Sequence, residues 1–128
     1  MATQSIVQKK SEDFAVRIIR LCNYLKEEKK EYTISGQIVR SGTSIGANIN
    51  EALNGASRRD FLAKMYIAFK EARETSFWQR MLRSTGYLND KEYESIDRDC
   101  EELKKILSSI TKTTAESVKK IGVRCFCS

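Results

Sequence analysis

Tyr93, Ile96, Cys100, Leu103, Leu107 and Ile110 follow one another at an unbroken 3-4-3-4-3 spacing. Residues three and four apart share one face of an α-helix, so such a series predicts a helix that buries that face against a partner. A cap at Asn89 or Asp90 starts it, and it extends to about residue 112. Its first half is acidic (Asp90, Glu92, Glu94, Asp97, Asp99, Glu101, Glu102) and its second half basic (Lys104, Lys105, Lys112). That order complements the helix dipole and needs no functional explanation.

The same spacing recurs upstream. Val7, Phe14, Ile18, Leu21 and Leu25, with Ala15 and Cys22 beside them, predict a helix over about 5–28. The charged run Lys26–Glu31 reads as a solvated loop. A second helix, about 33–54, takes Thr33 as its N-cap and turns Ile34, Ile38, Ser41, Ile45, Asn48 or Ile49, and Ala52 to the core. Gly42 and Gly46 form a G-x-x-x-G on its flank; each costs roughly 1 kcal/mol in helix propensity, so close approach of another helix is the expected compensation. Asn54-Gly55 stops it.

A third helix, about 57–85, starts at Ser57 with Asp60 three residues on, and Gly86 ends it. Phe61, Leu62, Met65, Ala68, Phe69, Ala72 and Ser76 make its main apolar face. Ile67, Trp78, Met81 and Leu82 lie opposite, with Glu71 among them, so this helix is either central in its own domain or covered there by another subunit, and these five residues are the candidate oligomer interface. Residues 114–128 have weak periodicity and read as a weakly structured tail beyond a domain of 1–113.

Composition closes off the other architectures. The chain has 128 residues, 31% of them charged, with no Pro and only 6 Gly. A β-sandwich would need turn chemistry every ~8–12 residues. An all-α, antiparallel up-down-up-down four-helix bundle is the expected fold. The N-terminal stretch lacks an apolar secretory segment and no run approaches the ~20 residues of a membrane span, so no membrane contact and a cytoplasmic location are expected. Cys22 and Cys100 sit on apolar stripes. Cys125 and Cys127 form a terminal C-x-C, and with no His in the chain no metal or cofactor is expected.

Helices two and three carry a more specific pattern: Phe14-Ala15, then Gln37, Arg40, Ser44-Ile45, Ala47-Asn48-Ile49 and Glu51-Ala52. It continues through Ser57, Asp60-Phe61, Ile67-Ala68, and Lys70-Glu71-Ala72-Arg73-Glu74-Thr75 with Trp78. Over about residues 5–112 the sequence resembles the bacterial four helix bundle protein family. That family is also called the intervening-sequence or S23 family, after spacers in 23S ribosomal RNA genes that encode some members. The resemblance implies a four-helix bundle. It also implies similarity to the accessory variability proteins of diversity-generating retroelements, which assemble as basic homopentamers binding reverse transcriptase and nucleic acid.

Two sets of polar residues are candidates for function. Gln37, Arg40, Ser44, Asn48 and Glu51 line one face of the second helix, where Lys70 and Glu74 of the third can meet them. They read either as a polar network, buried or half-buried, that fixes register or as a ligand or partner site in the same groove. Arg58, Arg59, Lys64, Arg73, Arg80 and Arg83, with Lys70, make the third helix basic. In a chain of formal net charge +6 they read either as a solvated face or as candidates to bind RNA or DNA backbone. No aromatic platform is expected among them, so binding should show little sequence preference. Without His, neither Ser41 nor Ser44 has a base to activate it, and a Glu-x-x-His di-metal site is impossible. The reading is therefore a non-enzymatic homo-oligomeric adaptor, pentameric by resemblance, for nucleic acid or a reverse transcriptase. The alternative is a structural protein–protein module.

Overall fold

The computed structural model describes residues 2–127, and the side chains of residues 6–120. It contains α1 (Ala2–Glu27), α2 (Thr33–Leu53), α3 (Arg58–Ser84) and α4 (Asp90–Cys127), with no strand among the described residues. Consecutive helices pack on one another, and α4 closes more sparsely against α1. Cross-helix contacts fix every direction. Gln8 meets Asn50 and Ser11 lies against Gly46. Arg40 meets Glu74 while Lys64 meets Glu51. Cys100 meets the Ala72 carbonyl while Gln79 meets Asp97, and Lys10 reaches Glu102 while Arg17 reaches Asp99. In each pair, rising numbers on one helix meet falling numbers on the other, so neighbours are antiparallel.

The predicted stripes form the core. Val7, Phe14, Ile18 and Leu25 of α1 meet Ile38, Ile45 and Ile49 of α2, Met65, Ala68 and Ala72 of α3, and the α4 seam from Tyr93 to Leu107. The G-x-x-x-G flank receives α1: Gly46 faces the hydroxyl and backbone of Ser11, and Gly42 faces the Ile18 side chain. Burial of these aliphatic side chains, at about 25 cal/mol per Å² of apolar area, is the main driving force holding the helices together.

The helix ends show how local chemistry sets the boundaries. Ser57 caps α3, accepting from the Asp60 amide at 3.1 Å. Asn89 and Glu92 make a reciprocal capping box at α4: the Glu92 amide donates to Asn89 Oδ1 (2.8 Å) and the Asn89 amide to Glu92 Oε1 (2.9 Å). At the end of α3, Gly86 takes φ +84°, and the amides of Tyr87 and Gly86 donate to the carbonyls of Leu82 and Arg83. That is a Schellman closure, which requires the left-handed residue that glycine supplies.

Two expectations fail here. Thr33 is not the cap of α2: the Glu31 carboxylate, only 7% exposed, accepts from the amides of Thr33, Ile34 and Ser35 at 3.2, 3.0 and 2.7 Å. The end of the supposed solvated loop is thus a buried cap, placed by the positive φ of Lys30 (56°) and favoured by the helix N-terminal charge. Nor does α4 stop near residue 112. It continues to Cys127, with Thr111, Thr114 and Val118 buried at 3- and 4-residue spacing. The register of Cys100 with Ala72 carries α4 along the start of α3, and no Pro interrupts it.

Candidate nucleic-acid and assembly surfaces

The polar line on α2 does not form one network. Arg40 is the only member that ties helices together as anticipated, pairing with Glu74 and, at 3.3 Å, with Glu71. Trp78 Nε1–H donates to the same Glu74 oxygen at 3.0 Å. The Trp78 hydrogen bond, followed by Arg40, holds the Glu74 carboxyl below the usual carboxylate range, with partial burial opposing. Ser44 donates back to the Arg40 carbonyl and Asn48 to the Ser44 carbonyl, so both are spent within their own helix. Gln37 is exposed. Glu51 pairs with Lys64 at 2.8 Å, and Lys70 lies over the Tyr66 ring, 5.8 Å from its centroid. These links are largely solvent-exposed; the buried polar tie between α2 and α3 is Ser41 with Thr75, whose hydroxyls meet at 2.9 Å. A second polar strip, absent from the sequence reading, joins α1 to α4: Arg17 donates to Asp99 (2.7 Å) and to the Ser95 carbonyl (3.0 Å).

The second apolar face of α3 is mostly used inside the chain. Leu82 is fully buried in the core, which corrects its assignment to a subunit interface. Trp78 is half-buried against that core and anchored by Glu74, while Glu71 belongs to the Arg40 pair. Ile67 stays exposed and Met81 half-buried. The reason is geometric: α3 packs on both α2 and α4, so its buried arc is wide enough to take in Thr75, Gln79 and Leu82 as well.

The basic residues divide by their position on α3. Lys64 is occupied by Glu51, and Arg83 stacks 4.0 Å from the Tyr93 ring centroid, toward α4. Arg58 stands exposed at the first residue of the helix. Arg59, Lys70, Arg73 and Arg80 are exposed, on the side away from the core. The spacing from 59 to 66, 70, 73, 77 and 80 is that of a single helical stripe, and its two remaining positions are Tyr66 and Phe77. Tyr66 is 53% and Phe77 41% exposed, so the expectation that no aromatic stands among these cations is wrong. The i, i+7, i+11 pattern is present in the sequence; assigning aromatics to the core by default conceals it.

Burial pushes the Cys100 thiol up to about 12, and both Cys100 and Cys22 are buried free thiols. Cys125 and Cys127 lie outside the described side chains. No group of three or more His, Cys, Asp or Glu side chains that could hold a metal occurs among the described residues. No described helix is long and apolar enough to cross a membrane.

A crystal structure of a protein of unknown function from the S23 ribosomal protein family of Bacteroides thetaiotaomicron superposes on the chain with a TM-score of 0.85. The two are 50% identical, over 86% of this chain and 98% of that one. No curated protein matches. The model of the 23S rRNA-intervening sequence protein family spans residues 3–109, and with the helical register and caps above, the chain belongs to that family.

Proposed function

We propose that this bundle is a non-enzymatic, self-associating adaptor that holds nucleic acid, structured RNA in the first place, by its phosphate backbone along the outer stripe of α3. Charge segregation carries the reading. Arg59, Lys70, Arg73 and Arg80 take part in none of the ion pairs among the described residues. Glu74, the nearest carboxylate on that helix, is held by Arg40 and Trp78. Cations without a carboxylate partner on one helix face form the kind of electropositive surface that displaces counterions from a polyanion.

Self-association would multiply this surface. The resemblance to accessory variability proteins supports a pentamer, with a reverse transcriptase as a candidate protein partner. Because Leu82 is taken up by the core and Trp78 is half-buried against it, the apolar residues left to build an interface include Ile67 and Met81 of α3 with Val16 and Ile19 of α1; Val16, Ile19 and Ile67 are exposed.

Anisotropy of a labelled structured RNA, titrated across roughly 50 to 200 mM salt, tests the backbone reading. For ~5 contacted phosphates, log K should fall against log salt with a slope near −4, and Lys70→Ala with Arg73→Ala should flatten it by about 1.5. Absence of binding at low salt, or indifference to salt, refutes it. Light scattering tests assembly, and a monomer refutes that part.

A further inference from the structure

Tyr66 and Phe77 are the two large aromatic side chains exposed on the outer stripe of α3. They are eleven positions apart, about 16 Å along the helix at 1.5 Å per residue. Lys70 and Arg73 stand between them, and Arg80 lies one turn beyond Phe77. Phe77 lies in an open groove of about 690 Å³ with Lys70, Arg73, Arg80 and, from α4, Lys104. The groove's carboxylate, Glu74, is neutralised by Arg40, and Lys104 is itself paired with Glu101 at 2.7 Å. Phe77 is outside the buried cluster. Its ring meets Trp78 edge to face, with centroids 4.9 Å apart and planes at 72°, which steadies it while two-fifths of the residue stays in solvent.

Resting on the nucleic-acid reading above, we propose that this groove and the Tyr66 ring, which lines the neighbouring groove on the same stripe, take unpaired nucleotides, with bases stacking on Phe77 and Tyr66 while Lys70 and Arg73 hold the intervening phosphates and Arg80 the one beyond Phe77. Aromatic rings interleaved with cations are the working parts of single-strand binding surfaces, because every base has a π-face to offer. In a duplex those faces are already stacked on one another, so the two rings gain nothing from it; the aromatics therefore separate unpaired from paired RNA where the cations cannot. A second copy seated on the same face about a two-fold axis would oppose Lys70, Arg73 and Arg80 to their own equivalents, which disfavours that occupant.

The test uses the full chain with a labelled 12-nucleotide oligouridine and a fully paired RNA duplex of equal length, titrated across a salt series for the slopes, with affinities compared at one fixed low salt concentration. Phe77→Ala should weaken oligouridine binding about 5-fold or more and the duplex less than 2-fold, with the salt slope unchanged. Phe77→Trp should retain binding, and Tyr66→Ala should repeat the selective loss. Arg73→Ala should weaken both probes and lower the slope. Trp78 is the single tryptophan, so its fluorescence reports directly on Phe77; stacking of uridine there should quench it. Equal losses for single strand and duplex, unchanged binding in Phe77→Ala, or losses that follow a changed oligomeric state by light scattering each overturn the stacking proposal. Failure of the unaltered protein to bind either probe overturns the nucleic-acid reading beneath it.

Discussion

Substituting Gly42 by alanine measures how closely α1 and α2 are packed. A Cβ at that position would lie 2.8 Å from Ile18 Cγ2, 2.9 Å from Cγ1 and 3.2 Å from Cβ. Ile18 is fully buried, and a β-branched side chain in a helix has essentially one χ1 rotamer, so it cannot swing aside. The helices must part slightly, and overpacking of this kind costs about 1–3 kcal/mol. Alanine's better helix propensity returns about 1 kcal/mol, which leaves a net loss of up to about 2 kcal/mol. Gly36, on the same helix, has nothing within 4 Å of its would-be Cβ, so Gly36→Ala keeps the propensity gain of roughly 0.5–1 kcal/mol without a clash. Chemical denaturation followed by circular dichroism, at one protein concentration, should therefore separate the two variants by about 1–3 kcal/mol. At this chain length each kcal/mol corresponds to roughly 3–5 °C in Tm. In a double-mutant cycle, Ile18→Ala should cost less in the Gly42→Ala background than in the unaltered chain, because the new methyl occupies part of the vacated space. A Gly42→Ala protein as stable as Gly36→Ala would refute the packing explanation.

Other outcomes follow from the caps and charges. Glu31→Ala should cost about 0.5–2 kcal/mol, because three amides at the start of α2 lose their acceptor; unchanged urea stability would show that water replaces the cap at no cost. The half-exposed Arg40–Glu74 pair is worth only about 0.2–1 kcal/mol, so Arg40→Ala should lower Tm by a few degrees at most. Since the Glu74 carboxyl is held below its ordinary 4.5, its contribution is present above that pH and lost as pH falls through the folded value. Glu74→Gln should remove that part of the acid-side slope in Tm against pH, and an identical slope would contradict it. Cys100, raised to about 12, is a protonated thiol that supports folding fully below its ordinary 9.0 and loses that support between 9 and 12. With Cys125→Ser and Cys127→Ser in place, iodoacetamide at about pH 8, below the ordinary thiol pKa, should label residue 100 only after denaturation; rapid labelling of the native protein would count against its burial.

The four helices, their order and most of their core could be read from the sequence. Helical periodicity is local, so stripes such as Tyr93 to Ile110 or Ile38 to Ile49 announce themselves without knowledge of the partner. Ser57, Asn89 and Gly86 are also local signals, since a cap or a left-handed turn is settled within a few residues. Tertiary structure decided the rest. A helical wheel gives the angle of Leu82 or Trp78 but not the number of neighbours around α3, and packing against both α2 and α4 took Leu82 into the core and half-buried Trp78 while leaving Ile67 exposed. The reversal at Lys30 converted Glu31 from a loop charge into a cap, and the register of Cys100 on Ala72 gave weakly apolar Thr111, Thr114 and Val118 a surface to cover. The sequence determined which residues could share a face. Only the placement of neighbouring helices decided which faces remained open, and so left Tyr66 and Phe77 in solvent among the cations of α3.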